Sequence, residues 1–172
     1  MPSRKLILEE NNIYHIFNRG FDKQTIFFED RDYRKFVDNL RRYNDEFEWI
    51  KIYAWSIMPN HFHLVLSSFK SGLEISDFMR KVQQSYAMHF KTKYKSISPD
   101  LNIVQIPQLF EWRFKAKLLD SEEYLQQAML YVALNPIKHW IVDKIEDWDY
   151  TSYHQMEDSW INLDESLFDD WD

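Results

Sequence analysis

The chain has 172 residues, of which 45% are hydrophobic and none is cysteine. This length suits one well-buried domain, which we expect over residues 1–156. Without cysteine there can be no disulfide, no thiolate metal site and no cysteine nucleophile, which leaves His, carboxylate and amide side chains as metal ligands. No apolar run approaches the length of a membrane span, and we expect a cytoplasmic protein.

The net charge of −7 is unevenly distributed. Residues 157–172 contain seven carboxylates and no Lys or Arg, so the rest of the chain is neutral overall. Residues 78–117 contain eight Lys or Arg and two acidic residues, a local net charge of +6. This range is a candidate phosphate-facing surface. Solvated helix and strand faces are the alternative. The acidic tail is either solvated or lies against this basic surface in place of a phosphate-bearing partner.

The first predicted strand covers 14–18, and a helix follows that Asp30 can cap and that ends at 43–45. A second strand is predicted over 49–57, because this range is rich in aromatic and β-branched residues. The turn at 58–60 contains Pro59 and leads into a third strand. The second and third strands should therefore form an antiparallel hairpin.

The longest predicted helix has a capping-box signature at Ser71 and Glu74 and ends near Lys95. Its apolar residues recur at steps of three and four and form one stripe, which includes Tyr86. Such a stripe must be buried, and we expect it to pack on the sheet.

An extended segment is predicted over 109–118. The last helix should begin at Asp120 or Ser121 and stop at Leu134, because Asn135 precedes a proline. The order strand, helix, strand, strand, helix, strand indicates a ferredoxin-like α+β sandwich. We expect a central antiparallel sheet with helices on one face and C-terminal helical additions.

Two histidines, His61 and His63, stand one residue apart at the start of the third strand. Side chains at i and i+2 of a strand share a face about 7 Å apart, so both rings can converge on one metal ion. Phe62 and Leu64 then point the other way. Buried imidazoles must be satisfied, and hydrogen bonds to backbone or water are the alternative to metal ligation.

Tyr86 is the candidate nucleophile. From the buried stripe of the longest helix it can be aimed at the two histidines, and a phenolate can attack phosphorus while a metal ion polarises the phosphate. The alternative is that Tyr86 is a packing residue. Tyr94, on the same helix, is a rival nucleophile.

Five sequence blocks over about residues 13–153 carry a resemblance to a known family. In order along the chain they are Tyr14-His15-Ile16-Phe17-Asn18-Arg19-Gly20, Met58-Pro59-Asn60-His61-Phe62-His63-Leu64, Gln84-Ser85-Tyr86-Ala87-Met88-His89-Phe90, Trp112-Arg113-Phe114-Lys115 and Tyr131-Val132-Ala133-Leu134-Asn135-Pro136. Together they resemble the HUH endonucleases, in particular the single-tyrosine transposases and among them the REP-associated tyrosine transposases.

The resemblance implies cleavage and rejoining of single-stranded, hairpin-bearing DNA through a 5′-phosphotyrosine link. It also implies that Mg²⁺ or Mn²⁺ is held by His61 and His63, and that Tyr86 is the nucleophile. Relatives of this kind include homodimers and monomers, and the sequence does not choose between them.

In several such relatives a Gln or Asn one helical turn after the tyrosine completes the metal site, but here that position is Phe90. His89, Gln83 and His15 are therefore the candidate third ligands. The expected DNA-binding residues are all basic: Arg19, Arg80, Lys91, Arg113 and Lys115.

Two other functions stay open at this stage. The first is a catalytically weak or inactive, domesticated DNA-binding protein, because the expected third ligand is missing. The second is a metal-dependent hydrolase of small phosphoesters that uses the histidines and a carboxylate such as Glu10.

Overall fold

A computed structural model describes residues 6–97 and 108–155. The acidic tail at 157–172 lies outside the described residues, as does part of the basic range. The strands are β1 Ile13–Arg19, β2 Ile50–Met58, β3 His61–Ser68 and β4 Lys115–Leu119. The helices are α1 Asp30–Glu46, α2 Gly72–Ile97 and α3 Glu122–Lys138.

The four strands form one antiparallel sheet in the order β2-β3-β1-β4. This is the strand order of a ferredoxin-like sandwich, so the predicted fold class is confirmed. β2 and β3 pair as the predicted hairpin, with Met58 opposite His61. Helices α1 and α2 pack on one face of the sheet, and α3 covers the other face.

The two faces of β3 have different neighbours because side chains alternate along a strand. Phe62, Leu64 and Leu66 join the main hydrophobic core with α1 and α2. Val65 belongs to a smaller cluster that includes Tyr131 of α3. The histidines alternate with the first set, so they lie on the α3 face.

The cap of α1 differs from the prediction. Glu29, not Asp30, is the N-cap residue, and it forms a reciprocal capping box with Asp32. At the start of α3, Ser121 Oγ accepts a hydrogen bond from the Tyr124 N–H at 3.1 Å, so the predicted Ser121 cap is confirmed.

The predicted end of α3 at Leu134 is wrong, because the helix continues through Pro136 to Lys138. A proline near the helix end costs one backbone hydrogen bond, and the last turn retains others. The His139 N–H still donates to the Asn135 carbonyl at 3.0 Å. Two residues after the last helical residue, Trp140 has a left-handed φ of 54°.

The turn before His61 is fixed by backbone hydrogen bonds. The Pro59 carbonyl accepts from the N–H groups of Ile26 and Phe27 at 2.8 and 2.9 Å, and the Asn60 carbonyl accepts from Gly20 at 2.7 Å. Across the parts of the chain that the structure describes, no helix combines the length and apolar character needed to cross a membrane.

Candidate metal and nucleophile site

His61 and His63 lie side by side at the start of β3, with ring centroids 5.1 Å apart. The prediction that the two rings share a face is confirmed. His61 Nδ1 donates to Asn60 Oδ1 at 2.6 Å, which leaves the lone pair of this tautomer on Nε2. His63 Nδ1 is hydrogen-bonded to His15 Nε2 at 2.8 Å. Engagement of one ring nitrogen by a neighbour is typical of a metal-binding histidine.

His15 lies behind His63 on β1. Burial, with a further contribution from Lys117, lowers the pKa of His15 to about 3. Burial, with further contributions from the neighbouring His15 and His61, also holds the pKa of His63 well below its usual value. Both imidazoles are therefore neutral at physiological pH, which is the form that binds a metal ion. His15 is placed to orient His63.

Tyr86 does not reach the histidines, and the expectation that it is aimed at them is wrong. The residue is fully buried on the α1/α2 face, against the rings of Phe27 and Phe36. Its hydroxyl donates to the Ile26 carbonyl at 2.5 Å. Burial, with an added effect of Asp32, raises its pKa above the usual value, which disfavours the phenolate.

The other candidate site residues on α2 also lie away from the histidines. The Tyr94 hydroxyl donates to Asp32 at 2.5 Å, and His89 Nε2 lies 3.9 Å from the same carboxylate. Gln83 accepts a hydrogen bond from Asn18 at 2.6 Å. None of these three residues is placed beside the histidine pair, because α2 and the histidines lie on opposite faces of the sheet.

A different tyrosine lies beside the histidines. Tyr131 of α3 is buried, and its ring centroid is 5.7 Å from that of His63 and 5.9 Å from that of His15. The Lys138 ammonium lies 4.8 Å from the centre of the Tyr131 ring. The α3 face of the sheet thus holds the phenol, the imidazoles and a positive charge close together.

Asn135 follows Tyr131 by one helical turn. It is fully buried, and neither its amide nitrogen nor its amide oxygen has a hydrogen-bond partner within the described ranges. A buried amide in this state costs about 1–3 kcal/mol. Tyr131, Asn135 and His139 follow each other at steps of four, so they share one side of the helix. The His139 ring centroid is 5.0 Å from that of His61, so Asn135 stands between two residues that contact the pair.

The donor set around the histidines fits a hard divalent cation. Among residues 6–97 and 108–155, no three His, Asp or Glu side chains form a group that could hold a metal ion. A metal ion held by these two histidines would therefore need a third ligand of another kind. An amide oxygen is such a ligand, and it suits Mg²⁺ or Mn²⁺. Asn135 fits this need.

The signal for this pair was present in the sequence. Tyr131 and Asn135 have the spacing of a tyrosine followed one turn later by an amide, the pattern that fails at Tyr86 and Phe90. It was missed because α3 is buried over most of its C-terminal half, so no apolar stripe singles out Tyr131.

The predicted DNA-binding residues fall into two groups. Lys115 is opposite Phe17, and Arg19 is opposite His61, so both belong to the histidine face. Arg19 also forms an ion pair with Glu111 at 2.5 Å. The remaining three residues line an open cleft of about 890 Å³ beside α2, and they are Arg80, Lys91 and Arg113.

Comparison with known proteins decides the family. Residues 9–135 match the family model described as transposase IS200 like, and the match includes both histidines, Tyr131 and Asn135. The chain belongs to the IS200-like transposase family. The resemblance inferred from the sequence blocks is confirmed at this level, and the protein is a transposase-type enzyme.

Relatives of this transposase include a Haemophilus influenzae protein described as a REP-associated tyrosine transposase. It is 19% identical over 150 residues, which cover 81% of this chain and 85% of the relative. A REP-associated tyrosine transposase of Escherichia coli K12 is 18% identical over 105 residues, covering 61% of this chain and 55% of the relative.

One solved structure is that of a REP-associated tyrosine transposase bound to a REP hairpin. It matches with a TM-score of 0.66 and 15% identity, over 90% of this chain and 84% of that chain. This likeness establishes the shared fold of the two proteins.

Proposed function

We propose that this transposase cuts and rejoins single-stranded DNA through Tyr131, with Mg²⁺ or Mn²⁺ held by His61, His63 and Asn135. The observation that carries the proposal is the arrangement of α3. This helix sets the Tyr131 ring 5.7 Å from that of His63 and buries the unpartnered Asn135 amide one turn later.

In the cutting step, the Tyr131 hydroxyl loses its proton and its oxygen bonds to the phosphorus of a DNA phosphodiester. The bond from phosphorus to the 3′ oxygen breaks, and that oxygen takes up a proton to become a free 3′-hydroxyl. The 5′ phosphate stays on the tyrosine. Attack by a 3′-hydroxyl reverses these changes, rejoins the strand and frees Tyr131. A bound divalent cation would polarise the phosphate and stabilise the charge that develops on its oxygens.

The neighbouring residues position these groups. Asn60 and His15 hold the rings of His61 and His63 in fixed orientations. Lys138 and Lys115 place positive charge on the same face as Tyr131, where it can bind the phosphates on either side of the reacting one.

We infer that the substrate is single-stranded DNA carrying a hairpin. The inference is supported by the matched transposase, which is bound to a REP hairpin. The cleft lined by Arg80, Lys91 and Arg113 offers a second phosphate-binding surface beside α2. Two separate basic surfaces suit a substrate that has both a duplex stem and an unpaired flank.

The alternative functions have less support. An inactive DNA-binding protein was considered because a third ligand was missing, and Asn135 supplies that ligand. A phosphoester hydrolase would need Glu10 near the histidines. Glu10 instead precedes Asn11, whose N–H donates to the Ser68 carbonyl at 2.7 Å. Ser68 is five residues beyond His63, or about 17 Å along the strand.

The test compares two substitutions that each remove one tyrosine hydroxyl. Wild type, Tyr131→Phe and Tyr86→Phe are incubated with a library of hairpin-bearing single-stranded oligonucleotides and Mn²⁺. Covalent protein–DNA adducts are then measured on denaturing gels. We expect wild type and Tyr86→Phe to form the adduct and Tyr131→Phe to form none.

The stability of the variants provides the control. Tyr86→Phe should lower the free energy of unfolding by about 1 kcal/mol, because it leaves the Ile26 carbonyl without its hydroxyl donor. Loss of the adduct in a folded Tyr86→Phe variant would assign the nucleophile to Tyr86. Retention of the adduct in Tyr131→Phe would exclude Tyr131 as the nucleophile.

A further inference from the structure

Trp140 is unfavourably placed for stability in two independent ways. Trp140 is 89% exposed, the largest exposed fraction of any large apolar residue in the described ranges. Its φ of 54° lies in the left-handed region, where helices usually place glycine. The conformation is held by hydrogen bonds from the Trp140 N–H to Ile137 at 2.9 Å and from the Ile141 N–H to Pro136 at 2.9 Å. Strained backbone of this kind is concentrated at functional sites.

The indole is next to the site described above. Trp140 directly follows His139, whose ring centroid is 5.0 Å from that of His61. Consecutive Cα atoms are about 3.8 Å apart, so the Cα atom of Trp140 lies about 3.8 Å from that of His139, which contacts His61. Lys138, which directly precedes His139, lies against the Tyr131 ring.

We propose that Trp140 is a stacking platform for one unpaired DNA base next to the phosphate that reacts with Tyr131. The inference rests on the proposed strand-transfer function and adds a subsite to it. An exposed indole presents a π-face that accepts any base, so this contact would hold the strand without reading its sequence.

The surroundings favour nucleic acid over a protein partner. Lys138, Lys115 and Lys117 supply positive charge on this face of the sheet, as a phosphate backbone requires. A single indole is also far smaller than the surface that a specific protein interface buries.

The test uses two fluorescent probes of equal length, a dT15 oligonucleotide and a fifteen-unit abasic phosphate chain. Their affinities for wild type and Trp140→Gly are measured by anisotropy at fixed salt. We expect Trp140→Gly to bind dT15 about tenfold more weakly and the abasic chain unchanged, because only a base can stack. Glycine also relieves the left-handed backbone, so the midpoint of thermal unfolding should rise by about 2–4 °C.

Two further variants serve as controls. Trp49 is 49% exposed and directly precedes β2, at the end of the strand far from Met58 and His61, so Trp49→Ala should leave both affinities unchanged. Trp140→Phe keeps an aromatic face and should bind dT15 within about threefold of wild type.

The outcomes separate this inference from the proposed function. Unchanged dT15 affinity in Trp140→Gly, or an equal loss with the abasic chain, would overturn the stacking role, and a lower unfolding midpoint would contradict the backbone strain at Trp140. Failure of the proposed strand transfer would appear in the covalent-adduct assay, whereas this assay measures only the binding of an unreacted strand.

Discussion

The two faces of the sheet use tyrosine differently. On the α1/α2 face, Tyr86 is surrounded by aromatic rings and donates its hydroxyl to a backbone carbonyl. On the α3 face, Tyr131 lies among histidines and a lysine, one turn before a buried amide with no partner. Both residues are buried on helices that pack against the sheet. Their burial is alike, and in the proposed function the neighbouring groups determine which one can react.

This difference predicts that substitutions on the α1/α2 face change stability, whereas substitutions on the α3 face change metal binding and reaction. A folded variant with a substitution on the α1/α2 face that no longer forms the adduct would contradict this difference between the two faces.

The largest expected effect is on the stability of the α1/α2 face. Asp32 is fully buried and accepts hydrogen bonds from Lys93 and Tyr94, both at 2.5 Å. Asp32→Asn should lower the free energy of unfolding by about 3 kcal/mol at pH 7, because it leaves the Lys93 ammonium without its buried partner. Urea denaturation measures this change, and the folded variant should still form the adduct.

The same carboxylate predicts how stability depends on pH. Burial opposes its ionisation, but the hydrogen bonds from Lys93, Tyr94 and the Phe28 N–H outweigh burial and lower the pKa of Asp32. The unfolded carboxyl has a pKa of about 3.9, so the stabilisation is complete above that value and is lost as the pH falls through the lower folded pKa. The difference in free energy of unfolding between wild type and Asp32→Asn should therefore become smaller below about pH 4. A difference in free energy of unfolding that stays constant from pH 7 to pH 3 would contradict the stabilising role of the ionised Asp32 carboxylate.

The second effect tests whether the buried Asn135 amide is a metal ligand. Asn135→Leu should slow adduct formation and weaken Mn²⁺ binding by about 100-fold, because it removes an oxygen ligand. It should also raise the free energy of unfolding by about 1 kcal/mol, since an unpartnered buried amide is replaced by an apolar group of similar size. Calorimetric titration with Mn²⁺ and urea denaturation measure the two changes. Wild-type Mn²⁺ affinity in this variant would exclude Asn135 as a ligand.

The third and smallest effect concerns β1, on which the neighbouring residues Tyr14 and His15 point to opposite faces of the sheet. His15→Phe removes the partner of His63 Nδ1 and should weaken Mn²⁺ binding by about tenfold. Tyr14→Phe is the matched control, because its hydroxyl accepts from the Glu9 N–H outside the metal site. Equal Mn²⁺ affinities in the two variants would show that His15 does not orient His63.

Local patterns in the sequence predicted most of the fold. The alternation of polar and apolar residues from His61 to Leu64 predicted β3. It also placed the two histidines on one face, because side chains of a strand alternate with a period of two. The stripe on α2 likewise gave a helix with a buried face. The boundary at Leu134 failed because a proline near the end of a helix removes only one backbone hydrogen bond.

The nucleophile could not be chosen from a helical stripe alone. A stripe shows that a helix packs against the sheet, but not which face of the sheet it covers. The alternation in β3 contained the missing constraint: a helix that covers Phe62 and Leu64 cannot also contact His61 and His63. Only the third helix was left to cover the histidines, and Tyr131 and Asn135 are on it.

The turn at Pro59 and Asn60 has a consequence for metal binding. Three backbone hydrogen bonds join this turn to residues 20–27 before any ion is present, and Asn60 also holds the His61 ring. The orientation of His61 is therefore set when the chain folds. Binding a cation at the proposed site would therefore require little loss of conformational entropy, so an ion held by few protein ligands would still have a well-defined position.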